Sequence, residues 1–151
     1  MLKKITLLLS LCFFWGCGYE PLYLKKNDYK QQINVITFSG DQKINKLIIS
    51  FLGIKENRNL ISGYILTLKS SKKIVVVSKD KTGNPSAYKS SIIVNFTLTN
   101  KKETIIRQKE FNSSFFYNNS KDKFGLSKYQ REIELNLINE ISEKIFVYLR
   151  T

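Results

Sequence analysis

The sequence predicts an α+β fold: a two-layer sandwich with two helices packed on one face of a four-stranded mixed, mostly antiparallel sheet. Three observations support this prediction. Four segments are rich in β-forming residues or alternate apolar and polar residues, and two others repeat apolar residues every three or four positions. Their order along the 151 residues is β-α-β-β-β-α, which suits helices on one side of a sheet.

The first strand and the first helix are predicted between residues 33 and 53. Residues 33–38 form a short β-rich segment. Ser39, with Gln42 three residues later, has the spacing of a capping box. Apolar residues then follow at helical spacing as far as Gly53, which suits a left-handed helix stop. A strand that returns through a helix can join its neighbour in parallel by a right-handed crossover.

The middle of the chain predicts three strands in an antiparallel meander. The first covers residues 64–68 and resumes at 74–78 after a basic interruption, and a turn over residues 79–85 ends it. Residues 91–99 alternate most regularly, which predicts one buried and one wetted face. After a tight turn, residues 103–116 return as the third strand.

The closing element is a long amphipathic helix over about residues 124–149. Its apolar residues recur every three or four positions: Leu126, Tyr129, Ile133, Leu137, Ile141, Ile145 and Leu149. A helix of this length with one apolar stripe is expected to cover a sheet face.

The amino end has the pattern of an export signal that stops at a cysteine. Lys3 and Lys4 precede the apolar run 5–15, and Gly16 then directly precedes Cys17. The apolar run is much shorter than a membrane-spanning helix, which needs about 20 residues. A cysteine in this place predicts acylation of its thiol. The alternatives are a buried terminal element and an uncleaved anchor.

These features divide the chain into three parts. We predict a lipoprotein signal peptide over residues 1–16, a lipidated tether over 17–32 and a single α+β domain over 33–151. Cys12 falls inside the signal and Cys17 would carry lipid, so no thiol is left for a disulfide. The domain must then be held together by its core alone.

The composition argues against an enzyme. The chain has no histidine, which removes the commonest general base, and both cysteines are accounted for, which removes His/Cys metal sites. Its acidic residues stand singly beside lysines, and its glycines form no phosphate-binding loop. We therefore expect no catalytic residues, no metal and no cofactor.

The charge favours an anionic partner. The chain has 25 basic and 12 acidic residues, a formal charge of +13, and such a charge attracts polyanions. An exported protein rarely meets nucleic acid in its function, so we expect no nucleic-acid partner. The phosphates of lipopolysaccharide (LPS) are the clustered anions available in a Gram-negative envelope. A biased composition, rich in Lys, Asn and Ile, is the alternative explanation.

Two motifs near the ends of the mature chain carry a resemblance to a known family. Residues 16–23 are Gly-Cys-Gly-Tyr-Glu-Pro-Leu-Tyr, similar to a Gly-Cys-Gly-aromatic-x-Pro-Leu-Tyr opening. Residues 114–118 are Ser-Phe-Phe-Tyr-Asn, followed by a short loop and a Glu-rich helix that ends Val-Tyr-Leu. Together they resemble the LPS-assembly lipoproteins, the LptE family in its α-proteobacterial form. The resemblance spans the mature chain and is weak in the middle.

That resemblance implies a non-enzymatic lipoprotein, lipid-anchored at the periplasmic face of the outer membrane. Family members lodge in the lumen of the LPS translocon β-barrel, assist its assembly, plug it and bind LPS on its way to the outer leaflet. The partners implied are that barrel, LPS, and the membrane through acyl chains on Cys17. The alternative is a structural envelope lipoprotein that assists β-barrel assembly or tethers the cell wall.

Basic residues cluster at two predicted turns, which lie at opposite ends of the sheet because turns alternate. The first cluster is the candidate LPS site: Lys79, Lys81 and Lys89, supported by Lys72 and Lys73. The second would contact LPS or the barrel wall: Lys101, Lys102, Arg107 and Lys109. An anion of this kind needs several ammonium groups within about a Debye length, roughly 8 Å. Ordinary solvated turn lysines are the alternative for both clusters.

Overall fold

The computed structural model describes residues 32–60 and 62–150. The predicted signal peptide, Cys17 and all but the last residue of the predicted tether lie outside these residues. The described elements are β1 (Ile33–Gly40), α1 (Gln42–Leu52), β2 (Tyr64–Lys79), β3 (Pro85–Thr99), β4 (Ile105–Asn118) and α2 (Lys123–Arg150). Their order confirms the predicted β-α-β-β-β-α arrangement.

The four strands form one mixed sheet in the order β1-β2-β3-β4. β1 lies parallel to β2, from Ile33 opposite Tyr64 to Gly40 opposite Ser70, and α1 makes the connection between them. β2, β3 and β4 form the predicted antiparallel meander. The fold is therefore the predicted α+β class.

The two long strands of the meander extend further than the sequence predicted. β2 runs without a break through the basic stretch 69–73, and β3 begins at Pro85 rather than at residue 91. Both differences have one cause: β2 and β3 stay paired through this stretch, where Lys73 lies opposite Ser91. Lysine side chains leave the sheet on either face, so they do not interrupt the backbone hydrogen bonds between strands.

β4 begins and ends two residues later than predicted. The turn before it takes residues 100–104, because the Asn100 side-chain oxygen accepts the N–H groups of Lys102 and Thr104, both at 2.9 Å. Glu103 adopts a positive φ of 60° within this turn. The turn is thus longer than the predicted tight hairpin.

Asp41, and not Ser39, caps the start of α1. Ser39 belongs to β1, where it lies opposite Lys69. The Asp41 carboxylate accepts the N–H groups of Lys43 at 3.0 Å and Ile44 at 3.1 Å, two of the donors that a helix start leaves unpaired. At the other end, Gly53 takes the predicted left-handed conformation, with φ of 64°.

The core lies between the helices and one face of the sheet. The predicted alternation in β3 is confirmed, because every second residue from Ile92 to Leu98 is fully buried. The most deeply buried side chains of the other elements are Ile33, Ile44, Ile48, Leu66, Leu68, Ile138, Ile141 and Ile145. Burying one such side chain contributes about 1.5–3 kcal/mol. Of the predicted α2 stripe, only Tyr129 is exposed.

β1 stops halfway along β2. Gly40 turns the chain away with a φ of +75°, and the N–H of Asp41 donates to the Ser70 carbonyl oxygen at 3.0 Å. Among the described residues, nothing pairs with β2 on this side beyond Ser70. We call residues 71–90, which carry the two strands past this point and through their turn, the distal hairpin.

Candidate anion-binding surface

The turn of the distal hairpin is organised by Asp80. Its carboxylate accepts hydrogen bonds from the Thr82 hydroxyl at 2.7 Å and from the N–H groups of Thr82 and Asn84, both at 2.9 Å. These bonds, that of the Thr82 hydroxyl foremost, hold the pKa of the Asp80 carboxyl below its ordinary value. The carboxylate is engaged within its own turn, and the flanking Lys79 and Lys81 are exposed.

Lys73 and Lys89 lie side by side on the open face of the sheet, the face that carries no helix. Lys89 is opposite Val75, two residues from Lys73, and such diagonal neighbours have Cα atoms about 7–8 Å apart. The Lys89 ammonium also lies 5.3 Å from the ring centroid of Phe116, which is 61% exposed. This open-face pair therefore combines two cations with an accessible aromatic ring.

We call Lys73, Lys79, Lys81 and Lys89 the basic tip. Within residues 32–60 and 62–150, none of the four forms an ion pair. No described carboxylate oxygen therefore lies within 4.0 Å of their ammonium groups, and the ionised Asp80 adds one negative charge to the turn between Lys79 and Lys81. The structure thus places four of the five residues predicted for the first cluster along the distal hairpin. Lys73 and Lys89 are neighbours, whereas Lys79 lies six residues, or about 20 Å of strand, beyond Lys73.

Lys72 lies apart from the basic tip, on the helix face of the sheet. It forms an ion pair with Glu134 of α2, whose other carboxylate oxygen accepts from Lys43 of α1 at 3.0 Å. Burial alone would raise the pKa of the Glu134 carboxyl, but the bonds from Lys72 and Lys43 outweigh it and hold that pKa below its ordinary value. Through Glu134, Lys72 therefore links β2 to α2 and α1, and it is not part of the anion site.

The second predicted cluster lies at the opposite end of β3 from the turn of the distal hairpin, and the structure divides it. Lys101 donates to the Leu60 carbonyl oxygen at 3.1 Å, across to the loop before β2. Lys102 is exposed at the turn. Lys101 therefore supports a loop, and of these two residues only Lys102 points freely to solvent.

Arg107 and Lys109 face the carboxyl end of α2. Arg107 donates to the Tyr148 carbonyl oxygen at 2.8 Å, and Lys109 lies 5.1 Å from the centroid of the Tyr148 ring. A cation at a helix carboxyl end interacts favourably with the helix dipole. These two residues therefore hold α2 against the sheet, and they do not form a common anion site with Lys101 and Lys102.

A shallow groove of about 700 Å³ runs between β4 and α2. It is lined by Lys109, Glu110, Phe111, Asn112, Glu140, Glu143, Lys144, Val147 and Tyr148. The lining contains two lysines and three glutamates, and Lys144 pairs with Glu140 at 2.6 Å. The groove thus offers no excess of positive charge to an anion.

The described residues give no sign of two other kinds of site. They contain no group of three or more acidic, histidine or cysteine side chains that could hold a metal ion. No helix in the same ranges is long and apolar enough to cross a membrane.

The sequence alone does not indicate two features on and beside the distal hairpin. The sequence predicts only that Phe116 lies in a strand. Its place beside Lys89 depends on the β3–β4 register, in which the two residues are opposite each other. The sequence also places Ile74, Val76 and Val77 in a strand without indicating that their apolar side chains are exposed. Alternation along the strand indicates faces but not what covers them.

No protein-family model matches the chain, and no curated protein sequence matches it. Solved structures do. The chain superposes on rare lipoprotein B from Shewanella oneidensis with a TM-score of 0.59 and 14% sequence identity, over 77% of this chain and 93% of that one. This chain shares the fold of rare lipoprotein B. At this identity the likeness concerns the fold alone.

Two further solved structures have the same architecture. A minor lipoprotein from Acinetobacter baumannii gives a TM-score of 0.61 at 9% identity, over 78% of this chain and 90% of that one. Lipoprotein B from Nitrosomonas europaea gives 0.61 at 10% identity, over 76% and 79%. The fold is thus one that lipoproteins of several bacteria share.

Proposed function

We propose that the chain is a non-enzymatic outer-membrane lipoprotein of the LPS-assembly type. It assists the assembly of the LPS translocon β-barrel, plugs it and binds LPS on its way to the outer leaflet. The observation that carries this proposal is the basic tip, four lysines of the distal hairpin without ion-pair partners in the described part of the chain. One of them, Lys89, lies beside an exposed aromatic ring.

The basic tip suits the phosphates of an LPS molecule. Lys73 and Lys89 are diagonal neighbours on the open face, at a spacing of about one Debye length. Lys79 and Lys81 lie at the end of the same hairpin. Phosphates are bound by lysine as by a set of point charges, so affinity for LPS should fall as salt is added.

The lipoprotein part of the proposal rests on the amino end and on the fold. Gly16-Cys17 follows an export signal, and solved structures with this fold are described as lipoproteins. Burial of acyl chains contributes about 0.8 kcal/mol per CH₂, so two or more chains on Cys17 anchor the protein stably. The domain is then free to contact the barrel and LPS.

Charge reversal at the basic tip tests LPS binding. We expect the double variant Lys79→Glu with Lys81→Glu, and likewise Lys73→Glu with Lys89→Glu, to bind purified LPS at least tenfold more weakly than the parent protein. Lys101→Glu with Lys102→Glu makes the same change of charge at the other end of the sheet and serves as the control. Equal losses in all three variants, or no loss at the tip, would show that the tip is not the site.

Depletion and co-purification test the partner. We expect a large outer-membrane β-barrel protein to co-purify with the full-length chain, and surface LPS to fall when the chain is depleted. Normal surface LPS after complete depletion would refute the LPS role. Recovery of a barrel-insertion machine in place of the translocon would favour the structural envelope lipoprotein instead.

A further inference from the structure

The outer edge of the distal hairpin has unpaired backbone groups. The Ser70 carbonyl oxygen accepts the N–H of Asp41, so the backbone of Ser70 points away from β3. Because these groups alternate along a strand, the N–H and C=O of Lys72, Ile74 and Val76 point the same way. Past Ser70 no described residue pairs with them. An edge of this kind is a template for a strand from another chain.

The other edge of the sheet is protected. α2 lies along β4, where Lys144 donates to the Asn112 carbonyl oxygen at 3.1 Å and Tyr148 to that of Gln108 at 3.4 Å. At the β2 edge, α1 begins only after Asp41. In the described part of the chain, no side chain forms a comparable hydrogen bond to the backbone of residues 71–79. The two edges of one sheet thus differ, and the β2 edge is the accessible one.

The side chains along this edge indicate what would bind there. Ile74, Val76 and Val77 are 41%, 43% and 45% exposed, so the edge offers apolar surface as well as hydrogen-bonding groups. Lys73 and Lys79 add positive charge without a described ion-pair partner. A second copy of this chain would bring the same lysines against each other, which is unfavourable. An acidic strand with apolar residues on one face complements the edge.

We propose that residues 71–79 of β2 dock an extended, acidic polypeptide segment of a partner protein, which adds to the sheet as a fifth strand. Backbone hydrogen bonds to Lys72, Ile74 and Val76 would supply affinity, and the apolar and basic side chains would select the sequence. This interaction needs neither LPS nor the acyl chains, and it extends the proposed function to a second kind of ligand.

A designed peptide tests the proposal on the full-length protein. The probe is a nine-residue peptide that alternates Glu and Val, and the comparison peptide alternates Lys and Val. We expect the acidic peptide to bind at least tenfold more tightly, and the amide hydrogens of Ile74 and Val76 to exchange at least tenfold more slowly when it is bound. Equal binding of both peptides would overturn the charge argument, and unchanged exchange at these two amides would overturn the site.

A proline variant tests the role of the edge. Val76→Pro removes an outward N–H that β3 does not use, a change that edge strands tolerate, and should weaken binding of the acidic peptide at least tenfold. Ser114→Pro makes the matched change on the outward side of β4 and should leave binding unchanged. Similar effects of the two variants would contradict the proposal.

A charge swap provides a test that does not depend on how well proline is accepted. Lys73→Glu with Lys79→Glu should reverse the preference, so that the Lys-Val peptide binds more tightly than the Glu-Val peptide. An unreversed preference would contradict the proposal. Without peptide, the amides of Ile74 and Val76 could instead exchange slowly, and more slowly at higher protein concentration. That result would assign the edge to a second copy of the chain and would also overturn the proposal.

Discussion

Gly40 and Ser70 approach so closely that no side chain fits between them. A Cβ atom placed on Gly40 would lie 2.0 Å from the Ser70 carbonyl oxygen. That same oxygen accepts the N–H of Asp41, the residue that caps α1. The contact therefore ends β1, starts α1 and leaves the rest of β2 as an open edge.

Replacing Gly40 should be much more costly than replacing Gly53. Both have a positive φ, but no atom lies within 4 Å of a Cβ placed on Gly53. We expect Gly53→Ala to lower the free energy of unfolding by about 1 kcal/mol, the cost of the left-handed conformation. Gly40→Ala should lower it by about 3 kcal/mol or more, because backbone must also move. Urea unfolding measures both, and equal losses would contradict the close contact.

Glu134 should contribute stability that is lost in acid. Its pKa is held below the ordinary value of 4.5 by Lys72 and Lys43, against the effect of burial. A carboxyl with a lowered folded pKa stabilises the fold above the unfolded pKa and loses that contribution as the pH falls through the folded pKa. We expect Glu134→Gln to cost about 2 kcal/mol at pH 7 and much less below the folded pKa.

Denaturant unfolding of the parent and Glu134→Gln proteins at several pH values measures this difference. Glu140→Gln is the control, since Glu140 also has a lowered pKa, held by Lys144 and Ser113, but is mostly exposed. The Glu140 variant should change stability by about 1 kcal/mol or less. A gap between parent and Glu134→Gln that does not depend on pH would argue against the ion pairs.

Neighbouring isoleucines of β3 should respond very differently to truncation. Ile92 is fully buried under the helices, whereas Ile93 lies on the open face and is 38% exposed. We expect Ile92→Ala to lower the free energy of unfolding by about 2–5 kcal/mol, and Ile93→Ala by about 1 kcal/mol or less. Thermal unfolding distinguishes them. A comparable loss at Ile93 would mean that the open face is covered in the intact protein.

Arg107 should stabilise the carboxyl end of α2. Its guanidinium donates to the Tyr148 carbonyl oxygen and lies 5.4 Å from the Tyr148 ring centroid. We expect Arg107→Gln to cost about 1–2 kcal/mol. Lys102→Gln removes a positive charge from the nearby turn and should have almost no effect. Equal stability of the two variants in chemical denaturation would show that the helix end does not depend on Arg107.

Local patterns were sufficient to predict the elements and their order. The alternation from Ile92 to Leu98 and the apolar spacing of α2 each depend only on the period of one element. The structure therefore buries the residues that these patterns predict, apart from Tyr129. The ends of strands were less predictable. β2 continues through its lysines because β3 pairs with it there, and pairing between strands is a property of the sheet.

The candidate site, like the fold, was predictable only in part. The antiparallel order placed the two basic clusters at opposite ends. The faces of Lys72 and Lys73 could not be predicted, because the sequence indicated a break over residues 69–73. In the continuous strand these two neighbours lie on opposite faces. The partner of Lys72, Glu134, is 62 residues away, and the two meet only once α2 has packed on the sheet.

The parallel pairing of β1 with β2 gives the molecule a direction. Ile33, the first residue of β1, lies opposite Tyr64, whereas the basic tip lies at the other end of β2. At about 3.3 Å per residue, the 16 residues of β2 span roughly 50 Å. The lysine-bearing turn is therefore the pole of the sheet remote from the first residue of the domain, and the strands act as a spacer between them. Lengthening β2 and β3 by two residues each would raise that pole by about 7 Å and keep every side chain on its face.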